Sequence, residues 1–147
     1  MFKKILIATD GSSTSLKAAE KAIGIAKQFD AKLKVVVVID QRVFFIPHDY
    51  LPESSAYFQI LEELRQGAQR ILTDIQKTAE KENVTALEVE ILEGSVVDEI
   101  VTAAQKFKAD LLIIGAVGKT GATRGELGST AQALTTQSPC SLLIVKK

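Results

Sequence analysis

Two hydrophobic rhythms alternate along this chain. Ile5–Thr9 is a short apolar run between Lys4 and Asp10 and reads as a buried strand. Residues 14–29 carry Leu16, Ala19, Ile23 and Ala26 at three- and four-residue steps, which marks one face of a helix. "KLKVVVVID" is a strand whose continuous valines imply burial on both faces. Residues 41–58 hold Pro47, Pro52 and both tyrosines without a clear period, and read as a loop or lid. A long helix is predicted from about Ser55 to Glu82, with a stripe of Leu61, Leu64, Ala68, Ile71, Ile75 and Ala79. "ALEVEIL" alternates, as a strand with one wetter face does. Ser95-Val96-Val97-Asp98 has the form of a capping box, opening a helix with Val97, Ile100, Val101, Ala104 and Phe107 inward. "DLLIIGA" is a buried strand, Ser129–Gln137 a short helix ended before Pro139, and "SLLIV" the last strand.

Strands separated by helices favour parallel pairing through right-handed crossovers. No boundary interrupts the pattern, so residues 1–147 read as one domain. The expected fold is α/β: a three-layer, doubly wound parallel sheet of five strands. Ligands of such sheets bind beyond the carboxyl ends of the strands, where strand order reverses. That rule points to Thr9-Asp10, to Ile39-Asp40 and to Gly115 onward.

Composition narrows the class. Eighteen basic residues balance eighteen acidic ones, so no net field favours nucleic acid or an anionic membrane. The apolar run before Asp10 is too short for a signal-peptide core, and no segment has the length of a membrane span. Cys140 is the one cysteine, which excludes an internal disulfide. A cytoplasmic protein is expected.

The candidate chemistry lies in "IIGAVGKTGATRGELGST". Gly118-Lys119-Thr120 resembles the end of a P-loop, but the first glycine of that motif would fall at Ile113, inside a strand. No G-x-G occurs, so the dinucleotide fingerprint fails as well. Gly115 and Gly118 instead form a bend after a strand, where absent Cβ atoms would let a ligand approach amide groups. After nine intervening residues, Gly128-Ser129 opens a helix whose amino end favours anions. Ser129 and Thr130 add hydroxyls.

The spacing Gly115-x2-Gly118-x9-Gly128-Ser129 resembles the nucleotide-binding pattern of the universal stress protein family, ATP-binding type. "KKILIATDGS", "VVVVID", "EGSVVDEIVTAAQKFKADLLIIGAVGKTG" and "GSTAQALTTQSPCSLLIVKK" extend the likeness over the whole chain. The resemblance implies strand order 3-2-1-4-5 and a flavodoxin-like, adenine-nucleotide-hydrolase-like sheet. It implies ATP as ligand, with a divalent cation such as Mg²⁺. By matching position, Ala8, Thr9 and Asp10 would lie against ribose and phosphates, and Val38 would offer its main chain to adenine. Gly115, Val117, Gly118 and Lys119 would line the ribose and first phosphates, and Gly128, Ser129, Thr130 and Ala131 the outer ones. Val117 and Ala131 replace polar residues common in the family, each removing a phosphate contact, and Arg124 could compensate. The likeness also implies a homodimer joined through the edge strand Leu142–Val145.

Individual residues carry competing readings. Asp10 is either a site residue, open to a metal, or a turn residue capping the first helix. Asp40 reads as a turn or cap, His48 as a surface loop residue, Cys140 as a small core hydrophobe. Lys119 is either a solvated charge or a phosphate contact. No histidine lies in the predicted site and no general base is evident near the loop, whose nearest acid is Glu126. A nucleotide-binding module with at most slow hydrolysis is therefore expected over a fast enzyme. An ATP-pyrophosphatase-type enzyme would need paired glycines that "TDGSSTS" lacks, and a receiver domain would need an acidic pair beside Asp10.

Overall fold

The computed structural model describes residues 1–40, 42, 55–119 and 125–147. Five strands form one sheet: β1 (Lys4–Ala8), β2 (Lys32–Asp40), β3 (Leu87–Gly94), β4 (Leu111–Gly115) and β5 (Ser141–Val145). All pairings are parallel and the order is β3-β2-β1-β4-β5. Among the described residues four helices cover it: α1 (Ser13–Phe29), α2 (Ser55–Lys81), α3 (Val96–Phe107) and α4 (Ser129–Gln137).

The two-residue period of a strand divides the core cleanly. Ile5, Ile7, Val35, Val37, Leu111 and Ile113 point to one face and pack with Ala22 and Ile23 of α1 and Leu72 and Ile75 of α2. Leu6, Val36, Leu112 and Ile114 point to the other, against Ile100 and Phe107 of α3 and Leu134 of α4. The central strands are thus buried on both sides, which is why their sequences are continuously apolar. Edge strand β3 keeps its wet face through Glu88 and Glu90.

Three expectations fail locally. Leu16 is exposed, and the inward arc of α1 is Thr14, Ser15, Ala18, Ala19, Ala22, Ile23 and Ala26. Polar Thr14 and Ser15 go inside because the first turn of α1 lies directly on the end of β4. Val97 and Val101 of α3 are only half-buried, and Ala103 takes the inward place beside Ala104. Nor does Ser95 complete a capping box: it is the N-cap of α3, but its side chain makes no cap hydrogen bond. Asp98 and Glu99 supply negative charge to that first turn instead. The loop or lid read at 41–58 lies largely outside the described residues.

Strand order reverses between β1 and β4, so their carboxyl ends part and leave a crevice. Among the described residues no helix is long and apolar enough to cross a membrane.

Candidate functional site

The crevice is a cleft of about 570 Å³. It gathers Ala8, Thr9, Asp10, Val38, Gly115, Val117, Gly118, Lys119, Gly128, Ser129, Thr130 and Ala131 from four separate stretches of chain. Arg124 lies outside the described residues, as do Thr120 and His48.

The first wall is the turn from β1 into α1. Gly11 sits at φ 80°, where an L side chain is strained, and lets the chain reverse. Ser12 is the N-cap of α1, and its hydroxyl accepts the Ser15 N–H at 3.3 Å. Asp10 is not the cap itself. Its Oδ1 accepts the Ser12 N–H at 2.9 Å and lies 3.0 Å from Ser15 Oγ. Buried Thr9 completes the chain: its Oγ1 accepts the Gly11 N–H at 3.2 Å and lies 2.8 Å from Ser15 Oγ.

The carboxylate also reaches across the cleft. Asp10 Oδ2 accepts the Lys119 N–H at 2.8 Å. Burial works against the charge on Asp10, but the bonds from Ser12, Lys119 and Ser15 outweigh it and hold the carboxyl below its ordinary value. Asp10 is therefore a structural tie between the two loops that the sequence rule singled out separately.

The two glycines of this loop also lie tight against the protein. A Cβ on Gly115 would stand 3.0 Å from Ser15 N and 3.1 Å from Thr14 C, so β4 ends against the backbone of α1. A Cβ on Gly118 would stand 2.6 Å from Asp10 Oδ2. Both missing side chains make room for neighbouring protein atoms, Ser15 and Thr14 backbone at Gly115 and the Asp10 carboxylate at Gly118.

The opposite wall is α4. Its N-cap is Gly128, extended at φ −61° and ψ 159°, with no side-chain cap hydrogen bond and no acid in the first turn. The Gly128 N–H donates to Ala116 O at 2.8 Å, which seats the helix start on the β4 loop. Among the described residues, the amides of Ser129, Thr130 and Ala131 have no protein acceptor, as the first turn of an uncapped helix requires. All three residues line the cleft.

The floor at one end is main chain. β2 pairs with β1 only through Val36, then runs four residues further, Val37 to Asp40. Val36 O accepts the Thr9 N–H at 3.0 Å, so Val36 faces β1. Backbone groups two residues apart along a strand face the same way, so Val38 turns its N–H and C=O toward β1 where β1 has ended. They look into the cleft.

Asp40, singled out by topology and read as a turn residue, makes that turn and also lies on the cleft, where it grips Arg42 with Nη2 2.6 Å from Oδ2. Sequence reasoning missed several other lining residues, Arg42 among them. The Arg42 hydrogen bond pulls the Asp40 carboxyl below its usual range. Val96 and Ile100 add an apolar side. Topology could have found these two, since a helix that follows a strand starts at the strand's carboxyl end. Among the described residues no group of three or more His, Cys, Asp or Glu is placed to hold a metal ion. Cys140 packs against the core below α3 and α4, and burial pushes its thiol pKa up, as for an inert core cysteine.

The chain matches the model of the universal stress protein family over residues 1–146. It is 42% identical over 147 residues to the universal stress protein MJ0531 of Methanocaldococcus jannaschii, covering all of this chain and 84% of that one. A putative universal stress protein of Staphylococcus haemolyticus, SH1215, is 32% identical over 99% of this chain and 85% of its own. Among solved structures, the protein MJ0577 superposes with a TM-score of 0.78 at 28% identity, covering 100% of this chain and 97% of that one. A universal stress protein solved in complex with cAMP superposes at 0.73 with 26% identity, covering 99% and 97%. Sequence and fold agree along the whole length, and this chain belongs to the universal stress protein family.

Proposed function

We propose that this chain binds an adenine nucleotide, ATP foremost, and serves as a nucleotide-dependent signalling or stress-response module. The observation that carries this reading is one cleft with two unsatisfied main-chain surfaces. At one end Val38 offers a donor and an acceptor, suited to the edge of a purine. At the other, the open first turn of α4 offers amides and the hydroxyls of Ser129 and Thr130, suited to phosphates. Ala8, Thr9, Gly115 and Val117 lie between them, where a ribose would sit. The volume, about 570 Å³, is in the range of small-molecule sites.

The cleft-lining side-chain charges oppose each other: Lys119 and Arg42 against Asp10 and Asp40. A polyphosphate therefore relies on amides and on a divalent cation such as Mg²⁺. With no protein metal cluster among the described residues, that cation would be held chiefly by the phosphates, with the Asp10 carboxylate also on the cleft.

Fast hydrolysis is not part of this reading. Asp10 and Asp40 both lie below the ordinary carboxylate range, which makes each a weak base. Turnover well below about 1 s⁻¹ is expected.

The same reading includes a homodimer through Leu142–Val145. β5 is an edge strand, and beside it runs an apolar groove of about 580 Å³ lined by Ile25, Phe29, Leu143 and Val145. Sedimentation at micromolar protein tests it, and a monomer there rejects it.

The deciding experiment is calorimetric titration of the purified chain with ATP, AMP and cAMP in magnesium buffer. Saturable binding of ATP, tighter than AMP or cAMP, is expected. Preference for cAMP would replace the ATP assignment, and no binding of any adenine nucleotide would end the reading.

A further inference from the structure

The amide of Lys119 belongs to the loop that a nucleotide phosphate would meet, yet the protein already satisfies it. Asp10 Oδ2 accepts that N–H at 2.8 Å. The contact is built from both sides. On one, Oδ1 is fixed by the Ser12 N–H at 2.9 Å and by Ser15 Oγ at 3.0 Å, so the carboxylate is aimed. On the other, Gly118 has no side chain where a Cβ would stand 2.6 Å from Oδ2, so the loop leaves room for it. A charged carboxylate on an amide mimics one oxygen of a bound phosphate.

We infer that Asp10 is an internal competitor for the phosphate-binding loop, a specificity residue that selects against free polyanions. The inference rests on the nucleotide-binding reading above. A phosphate that reaches the Lys119 amide must displace the carboxylate, and one that stops short faces a like charge across a few ångströms. Either way Asp10 weakens the binding of metal-free polyphosphate. The residue expected by position to be a ligand contact thus acts, in the empty cleft, as its opponent. Neutral or cation-compensated ligands do not meet the same barrier, so the cleft discriminates by net charge as well as by shape.

Asp10→Asn isolates this effect. Its carbonyl can keep the Ser12 and Ser15 donors, which turns its NH₂ toward the Lys119 N–H, where it cannot accept. The α1 end stays tied while the latch opens. Two readouts follow. In the ligand-free protein, amide hydrogen exchange by NMR should be at least about tenfold faster for Lys119 in Asp10→Asn than in the parent chain, with the Ser15 amide little changed. Equal Lys119 rates overturn the latch. In buffer containing a chelator, Asp10→Asn should bind inorganic tripolyphosphate and ATP about tenfold more tightly than the parent chain. Equal or weaker binding by the variant overturns the competition. If neither protein binds ATP or tripolyphosphate under any condition, the nucleotide reading falls, and with it the selectivity role. The exchange rates then still decide whether the carboxylate holds the loop.

Discussion

Helices α1 and α4 start at the same rim of the sheet and treat their first turns in opposite ways. At α1, Ser12 takes one amide, the Asp10 carboxylate takes another, and Gly115 lets the turn press onto β4. At α4, a glycine stands at the cap, no acid follows it, and the amides face open space. Helix α3 lies between these extremes, with an idle cap hydroxyl but Asp98 and Glu99 in its first turn. Equal backbone physics therefore yields a closed end and an open one, and side-chain choice at a few positions decides which. The closed end is construction. On the nucleotide-binding reading, the open end is where phosphates would sit.

The contrast can be broken most severely on the α1 side. Gly115→Val should destabilise the fold by about 1–3 kcal/mol in urea denaturation, because its side chain meets backbone rather than a flexible tip. Stability equal to the parent chain would mean that α1 and β4 separate freely. Next in size is the conversion of the open end into a closed one. Gly128 has an extended backbone that any residue adopts, and a Cβ there meets its neighbours at 3.4 Å or more. Gly128→Asp should cap α4 with its own carboxylate. Calorimetry should show ATP affinity at least tenfold weaker, about 1.4 kcal/mol, while stability moves by only a few tenths. Unchanged affinity would remove α4 from the site.

Ser12→Ala should lower stability by about 1 kcal/mol through the lost cap, read as a shift in denaturation midpoint without a change in slope. The smallest effect concerns acid. Asp10 and Asp40 have folded pKa values below their unfolded ones, so each contributes stability that is present above about pH 4 and lost as pH falls through the folded value. Thermal melting between pH 6 and pH 2 should show this loss, and Asp10→Asn should show less of it. Identical acid profiles for variant and parent would mean that Asp10 is not held by its donors.

The layout of the sheet was legible because a strand buried on both faces has no other way to be written. "VVVVI" and "LLIIG" leave no polar side to misplace. The start of α1 was less so. Periodicity put Leu16 inside, but the pull on Ser15 comes from Thr9 and Asp10, and the room for the turn comes from Gly115, a hundred residues away. The residues that line the cleft were legible, and what Gly115 and Gly118 face within the protein was not. Glycine spacing located the loop, yet spacing cannot say which side of each Cα faces a ligand. Gly115 and Gly118 turn their bare sides to Ser15 and Asp10. Topology pointed to Asp40 and the turn reading of it holds, but Arg42 was overlooked because a bond over two residues does not show the cleft beside it.

The overhang of β2 beyond β1 has a consequence for how this cleft can evolve. Val38 meets the cleft with atoms that nineteen of the twenty amino acids share in full. Substitution at that position can alter packing on β3 or on the helices, but leaves the same donor and acceptor in place. Proline alone deletes the donor. On the nucleotide-binding reading, base recognition is thus shielded from mutational drift. Divergence among relatives would then fall on the loop and the start of α4, and preference among phosphates would change more readily than preference for the base.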